Sequence, residues 1–210
     1  MGQNISRTTP HTRSIPPESH ERLPNDPWTI FQIMAEFVEG IQRLSHVKPA
    51  VSIFGSARTT ESNPQYQLAS DIAQLLSKNN INVITGGGPG IMEAGNRGAS
   101  KGKGLSIGLN IQLPFEVERN LYQDIAVNFK FFFSRKSMFI KHSNAFVYMP
   151  GGFGTLDELS EIATLIQTGK TENMPLILVG TDYWKGFLDW IKDIMLAEQK
   201  ISPEDLNMFY

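Results

Sequence analysis

Apolar residues at Ile30, Ile33, Met34, Phe37, Val38, Ile41 and Leu44 recur at helical spacing, which predicts one amphipathic helix over residues 28–46. Its apolar side has to be covered, by the rest of the chain or by a partner subunit. Ahead of it, Met1 to Pro27 carry Pro, Ser, Thr, His and charge with few large apolar side chains. That stretch reads as a flexible tail, because it has too little apolar surface to offset the entropy of ordering.

After His46 the pattern changes to short apolar runs alternating with helical stretches. "AVSIFGS", "INVIT", "LSIGLNI", "QDIAVNF", "NAFVYMP" and "PLILVG" read as strands. "NPQYQLASDIAQLLSKNN", "IMEAGNRGASKG", "SRKSMFIKHS", "TLDELSEIATLIQTG" and "YWKGFLDWIKDIML" read as helices. Strands apolar along their whole length and separated by helices imply βαβ units and a parallel sheet covered on both faces. The expected fold over residues 47–210 is therefore a doubly wound, Rossmann-like α/β domain.

Composition narrows the possible functions. With 210 residues, 40% hydrophobic and 19% charged, the chain fits a soluble domain with an ample core. A formal charge of -2 speaks against nucleic acid or a membrane surface as partner. No cysteine is present, which removes disulfides, thiolate metal sites and a cysteine nucleophile; four scattered histidines are a poor basis for zinc. Without a membrane-length apolar run or a basic-then-apolar start, the expected location is the cytoplasm.

Two glycine clusters follow predicted strands: Gly86, Gly87, Gly88 and Gly90 after "NVIT", and Gly151, Gly152 and Gly154 after "FVYMP". In parallel sheets, ligands sit at such strand-to-helix turns, where backbone N–H groups point outward. Neither cluster fits the dinucleotide fingerprint, since Glu93 and Asp157 stand where a third glycine is needed. A P-loop fails as well, because Gly169-Lys170-Thr171 has Thr164 in place of its leading glycine. One glycine turn is explained equally well by tight turning; two at strand ends favour a shared anionic ligand.

Arg135 and Lys136 stand just after Ser134, which is placed to cap the helix they open. Two cations near a helix start oppose its dipole, a small cost that makes sense beside a phosphate. Thr155 and Glu158 have the T-x-x-E spacing of a capping box, and on spacing alone that is the stronger reading. The functional alternative turns Glu158 towards the pocket, with Glu161 on nearly the same face. A carboxylate beside a phosphate suits cleavage of an N-glycosidic bond, in which the ribose gains positive charge.

These residues resemble a known family. "PGGFGTLDE", Pro150 to Glu158, matches the PGGxGTxxE signature of the LOG (Lonely Guy) family, and Phe132, Arg135 and Lys136 match its F-x-x-R-K element. "GGGPGIMEAGNRGA" and "FGSAR" are similar to its other nucleotide-loop segments. The resemblance implies a Rossmann-like phosphoribohydrolase that takes AMP or a cytokinin riboside 5′-monophosphate to free base and ribose 5-phosphate, without metal or cofactor. It implies catalytic roles for Arg135 and Glu158, with Gly151, Gly152, Gly154 and Thr155 at the 5′-phosphate and Lys136 at its border. Gly87, Gly88, Met92 and Glu93 are implied on the nucleotide side and Met138 near the base. The N-terminal extension resembles that of a longer bacterial subgroup, implying a homo-oligomer of two or more subunits. Against this stand a non-catalytic nucleotide sensor or carrier, and an interaction protein assembled through the Trp28–Leu44 helix. The lysine decarboxylase label often given to the family has no support in the residues, since only Lys136 is placed to form a Schiff base.

Overall fold

The short β-branched and aromatic runs pair as one parallel sheet of six strands in the computed structural model, which describes residues 27–113 and 119–210. Of the expected flexible tail, Pro27 opens a helix and the other residues lie outside the described ones. The strands are β1 (Ala50–Phe54), β2 (Asn82–Thr85), β3 (Ser106–Ile111), β4 (Ile125–Phe129), β5 (Ala145–Tyr148) and β6 (Leu176–Leu178). Their order across the sheet is β4-β3-β2-β1-β5-β6. The chain thus runs outward from β1 to β4, then returns to lay β5 on the other side of β1, in register from Val51↔Ala145 to Phe54↔Tyr148. This reversal beside β1 is the switch point of a doubly wound fold, and loops leaving the carboxyl ends of β1 and β5 diverge there.

Helices α1 (Pro27–Arg43), α2 (Pro64–Lys78), α3 (Ile91–Ala99), α4 (Phe132–His142), α5 (Phe153–Gln167) and α6 (Thr181–Trp190) divide between the two faces. Val51, Ile53 and Val83 pack with Tyr66, Ala69 and Ala73 of α2 and Ile91 and Ala94 of α3. The other face joins Phe54, Ile84, Phe146 and Tyr148 to Met138 and Phe139 of α4, Leu159 and Ile162 of α5, and Trp184 of α6. Alternation along β1 and β5 sends successive side chains to opposite cores, as the pleat requires. Helix α6 runs on as a π-helical stretch, Ile191–Leu196, and a 3₁₀ segment, Pro203–Met208, brings Tyr210 beside β6. There Leu178 N–H donates to the Tyr210 carbonyl and Tyr210 N–H to that of Leu176, covering part of the sheet edge. Among the described residues, no helix is long and apolar enough to cross a membrane.

Helix α1 packs on α4 and β4, but not with the whole apolar set its sequence suggests. Thr29, Gly40 and Leu44 are buried and Ile33 and Phe37 half-buried, whereas Trp28, Ile30, Phe31, Met34, Val38 and Ile41 stay exposed. The inward stripe is set by fit against α4: at Gly40 an added Cβ would come within 2.7 Å of the Met138 sulfur.

Candidate active site

Two helix starts differ from the sequence expectation, and both differences shape the site. Helix α5 begins at Phe153 with Gly152 as an extended N-cap, so Thr155 already lies inside the first turn and no side chain caps it. The T-x-x-E capping box is therefore not formed; the glycine loop turns into helix three residues earlier than that spacing suggests. Glu158 is released from capping and is buried, with its Oε2 lacking a hydrogen-bond partner. Ser134 is likewise not an N-cap, since α4 begins at Phe132. Its cap comes from far away: the Glu36 carboxylate of α1 accepts from the N–H groups of Lys130 (2.6 Å) and Phe131 (3.4 Å) and from the Ser134 hydroxyl. A carboxylate there satisfies orphan donors and complements the positive end of the α4 dipole.

A cavity of about 930 Å³ opens above the switch point. Its walls come from the loop after β1 (Gly55 to Thr59), the loop after β2 (Gly86 to Pro89), the end of β3, the starts of α4 and α5, and Tyr183 of α6. Gly152 and Gly154 face open space, with nothing within 4 Å of an added Cβ. The first N–H groups of an α-helix have no acceptor within it, so this turn offers donors to an anion. Thr155 closes over the loop, its hydroxyl so near Gly151 that an added Cβ there would meet it at 2.0 Å.

The first glycine loop is built differently. Gly87 (φ +73°) and Gly90 (φ +68°) hold left-handed backbone that favours glycine, and a Cβ at Gly90 would press on the Ser56 carbonyl at 2.4 Å. Gly87 N–H donates to the Thr85 hydroxyl, while the Gly87 carbonyl accepts from Asn120 N–H and from Gln123 Nε2. Asn120 also donates to the Gly88 carbonyl and to Asn96 Oδ1. This loop is a rigid wall held by a buried amide network rather than an open anion cradle.

Arg135, partly buried, ties this wall to α4: its Nε donates to the Leu109 carbonyl at 2.7 Å and one Nη to the Gly86 carbonyl at 3.4 Å. Its guanidinium also lies 5.3 Å from the Phe139 ring centre. A guanidinium has five N–H donors, so donors remain to face the cavity. Burial pulls its pKa down and the Glu158 charge partly opposes this; the group stays cationic. Burial pushes the Glu158 carboxyl up to about 7, against the pull of Arg135 and Lys136 and with smaller upward pushes from Glu161 and Asp157. A carboxyl so placed exchanges protons near neutrality, as a general acid or base must.

Of the expected site residues, Gly87, Gly88, Met92, Arg135, Gly151, Gly152, Gly154, Thr155 and Glu158 line this cavity together. Glu93, Lys136 and Met138 do not. Glu93 accepts from the Tyr66 hydroxyl at 2.9 Å, and Met138 is in the core beneath α1. Lys136 pairs with Asp157 and Glu161, each at 2.8 Å, locking α4 to α5. Burial draws its pKa down, but the two carboxylates outweigh this and hold it above the ordinary value. A Schiff-base lysine has to lose its proton, so these pairs work against such a role. Sequence reasoning missed Arg58, Asn110, Arg119, Phe132 as a wall, and Tyr183, all of which line the cavity. Arg58 was visible inside "FGSAR"; Asn110 and Arg119 carry no local motif.

Comparison with known proteins bears on the family and the fold. Residues 92–210 match the family model described as "Possible lysine decarboxylase". The Arabidopsis thaliana protein named cytokinin riboside 5′-monophosphate phosphoribohydrolase LOG3 is 32% identical over 71% of this chain and 69% of its own. Across the first three such relatives, the alignments span 62% to 69% of the relatives' lengths. Among solved structures, the X-ray structure of TM1055 superposes with a TM-score of 0.56 at 23% identity, over 75% of this chain and 88% of that one. A molybdenum cofactor binding protein from Rippkaea orientalis gives 0.52 at 24%, over 75% and 92%. At these identities the two structures speak for the fold alone. The family model covers more than half of the chain and agrees with the relatives at about 30% identity, so the chain belongs to the LOG family.

Proposed function

We propose that the chain hydrolyses the N-glycosidic bond of a purine nucleoside 5′-monophosphate, giving free base and ribose 5-phosphate. One observation carries this reading: the buried, unpartnered carboxylate of Glu158 opens on the same cavity as the α5 first turn and the Arg135 guanidinium. An anion-binding turn and a carboxylate are adversaries unless the ligand is negative at one end and becomes positive at the other. A ribose 5-phosphate that ionises at C1′ has that polarity.

In this mechanism the N–H groups at Gly152, Phe153 and Gly154, with Thr155, hold the 5′-phosphate. Arg135 fixes the wall at Gly86 and leaves donors for the nucleotide. As the C1′–N9 bond breaks, its electron pair leaves with the purine, which takes a proton from solvent. Ionised Glu158 lies against the ribosyl cation, and water adds its oxygen to C1′ while Glu158 receives the proton. The names of the relatives, which specify a cytokinin riboside 5′-monophosphate, support an adenine-type base.

The test is release of free base from AMP and from isopentenyladenosine 5′-monophosphate, followed by chromatography. The expected outcome is release from at least one of them by the wild type and a loss of about 10²–10³-fold in Glu158→Gln. Tight nucleotide binding with no base released from either would replace the enzyme by a carrier.

A further inference from the structure

Strand β5 carries a second buried, unsatisfied group, in the core that it shares with α5. Tyr148 is the last residue of β5, two positions before the Pro150 that begins the anion loop. Its side chain is fully buried, and its hydroxyl has no hydrogen-bond partner. The ring is clamped by apolar and aromatic neighbours: Phe54 at 5.4 Å and Phe146 at 6.5 Å between ring centres, with Leu159 and Trp184 in the same cluster. The Trp184 indole N–H donates to the Tyr148 carbonyl at 3.1 Å, fixing the backbone from below. A phenol in such a place is costly, and phenylalanine would pack as well without an orphan donor.

Glu158 Oε2 is an unsatisfied acceptor buried on the first turns of α5, on the residue next to Leu159 of the cluster that holds the Tyr148 ring. Its charge acts on the Tyr148 hydroxyl. Donor and acceptor are complementary, and both lack partners. The other charged groups acting on Glu158 are Arg135 and Lys136 of α4 and Asp157 and Glu161 of α5. Of these, Lys136 is paired with Asp157 and Glu161, and Arg135 donates to the carbonyls of Leu109 and Gly86.

We infer that Tyr148 is a positioning residue for Glu158: when the Glu158 carboxyl ionises, it turns to accept the phenol O–H, which fixes the carboxylate beside the sugar. The inference rests on the proposed hydrolase reading for its kinetic consequence, and on the buried pair alone for its structural one. A hydrogen bond donated to the charged form favours ionisation, so Tyr148 keeps Glu158 in the state that meets a cation. The phenol does not touch the substrate and is not a catalytic group.

The experiment is a ¹³C NMR titration of the Glu158 side-chain carboxyl, assigned by its loss in Glu158→Gln, in the full chain and in Tyr148→Phe. The expected result is a Glu158 pKa raised by about one unit in Tyr148→Phe, because the donor to the charged form is gone. The pH profile of kcat for base release should move the same way, with kcat on the plateau about tenfold lower and KM unchanged. Replacing Tyr148 by a fluorinated tyrosine, a stronger donor of the same shape, should lower the Glu158 pKa instead. Coincident titration curves in all three proteins overturn the inference, as does a lower kcat without a displaced curve. The titration needs no turnover, so a wild type that releases no base would remove the hydrolase reading and leave this result to be judged separately.

Discussion

Glu158 carries two opposed consequences of burial. Its carboxyl is pushed up from 4.5 to about 7, first by desolvation, so the folded chain holds a proton there that the unfolded chain has lost. Between about pH 4.5 and 7 the native state binds more protons at this site, so its contribution to stability falls as pH rises and is lowest above 7. The effect has an upper bound of about 3 kcal/mol. Activity runs the other way, because only the ionised form faces a ribosyl cation. Two outcomes follow for Glu158→Gln: base release is lost, and the variant unfolds at higher urea than wild type at pH 8, with the difference shrinking towards pH 5. Paired urea titrations at the two pH values check this; an equal difference at both would show that Glu158 is not held neutral. The identity of this residue was legible in PGGFGTLDE, but its environment was not. Local spacing favoured a capping box, and only the early start of α5 at Phe153 frees the side chain. For the same reason Lys136, adjacent to Arg135 in sequence, turns away to Asp157 and Glu161: neighbours on a helix are about 100° apart, so one faces the cavity and the other the α4–α5 seam.

Helix α1 shows what an element can do for a site that it does not line. It precedes residues 92–210, the part matched by the family model, yet its Glu36 supplies the cap of α4, the helix that carries Arg135. Its helical character was readable from apolar spacing. Its contact was not, because a carboxylate 94 residues from the N–H it receives leaves no periodic trace. Which side faces inward was not legible either: the side with Gly40 lies on α4, while Ile30, Met34, Val38 and Ile41 stay exposed. Removing the cap in Glu36→Ala takes the acceptor from the Phe131 amide and the Ser134 hydroxyl and withdraws a favourable charge from the dipole. The expected cost is about 1–2 kcal/mol in denaturant unfolding, with Glu36→Gln intermediate because it keeps an acceptor but not the charge. Because α4 also sets Arg135 against Gly86 and Leu109, nucleotide affinity should weaken in step with the loss of the cap. Unchanged affinity in a destabilised Glu36→Ala would confine α1 to a purely structural part.

At the scale of the whole molecule, the cavity straddles the place where the chain reverses. One wall comes from the loops after β1, β2 and β3, the other from the loop after β5 and the first turns of α5, so a nucleotide bound there would span both halves of the sheet. The doubly wound order was legible from alternating strands and helices, since right-handed crossovers leave few other arrangements. The cavity's make-up was less so, because Asn110, Arg119 and Tyr183 meet there only through tertiary packing. A ligand that bridges the halves stabilises the native state against opening at the switch point, by RT ln(1 + [L]/Kd), about 2.7 kcal/mol at a hundredfold excess over Kd. In a chain of this length that is a rise of roughly 5–10 °C in melting temperature. AMP should therefore protect Glu158→Gln at least as well as wild type, because removing a negative charge beside a phosphate strengthens binding while turnover stops. Arg135→Ala should lose most of the protection, since it removes the cation and loosens the Gly86 wall together. Scanning calorimetry with increasing AMP on the three proteins reads these shifts directly. Equal protection in all three would place the nucleotide away from Arg135, and with it the site away from the switch point.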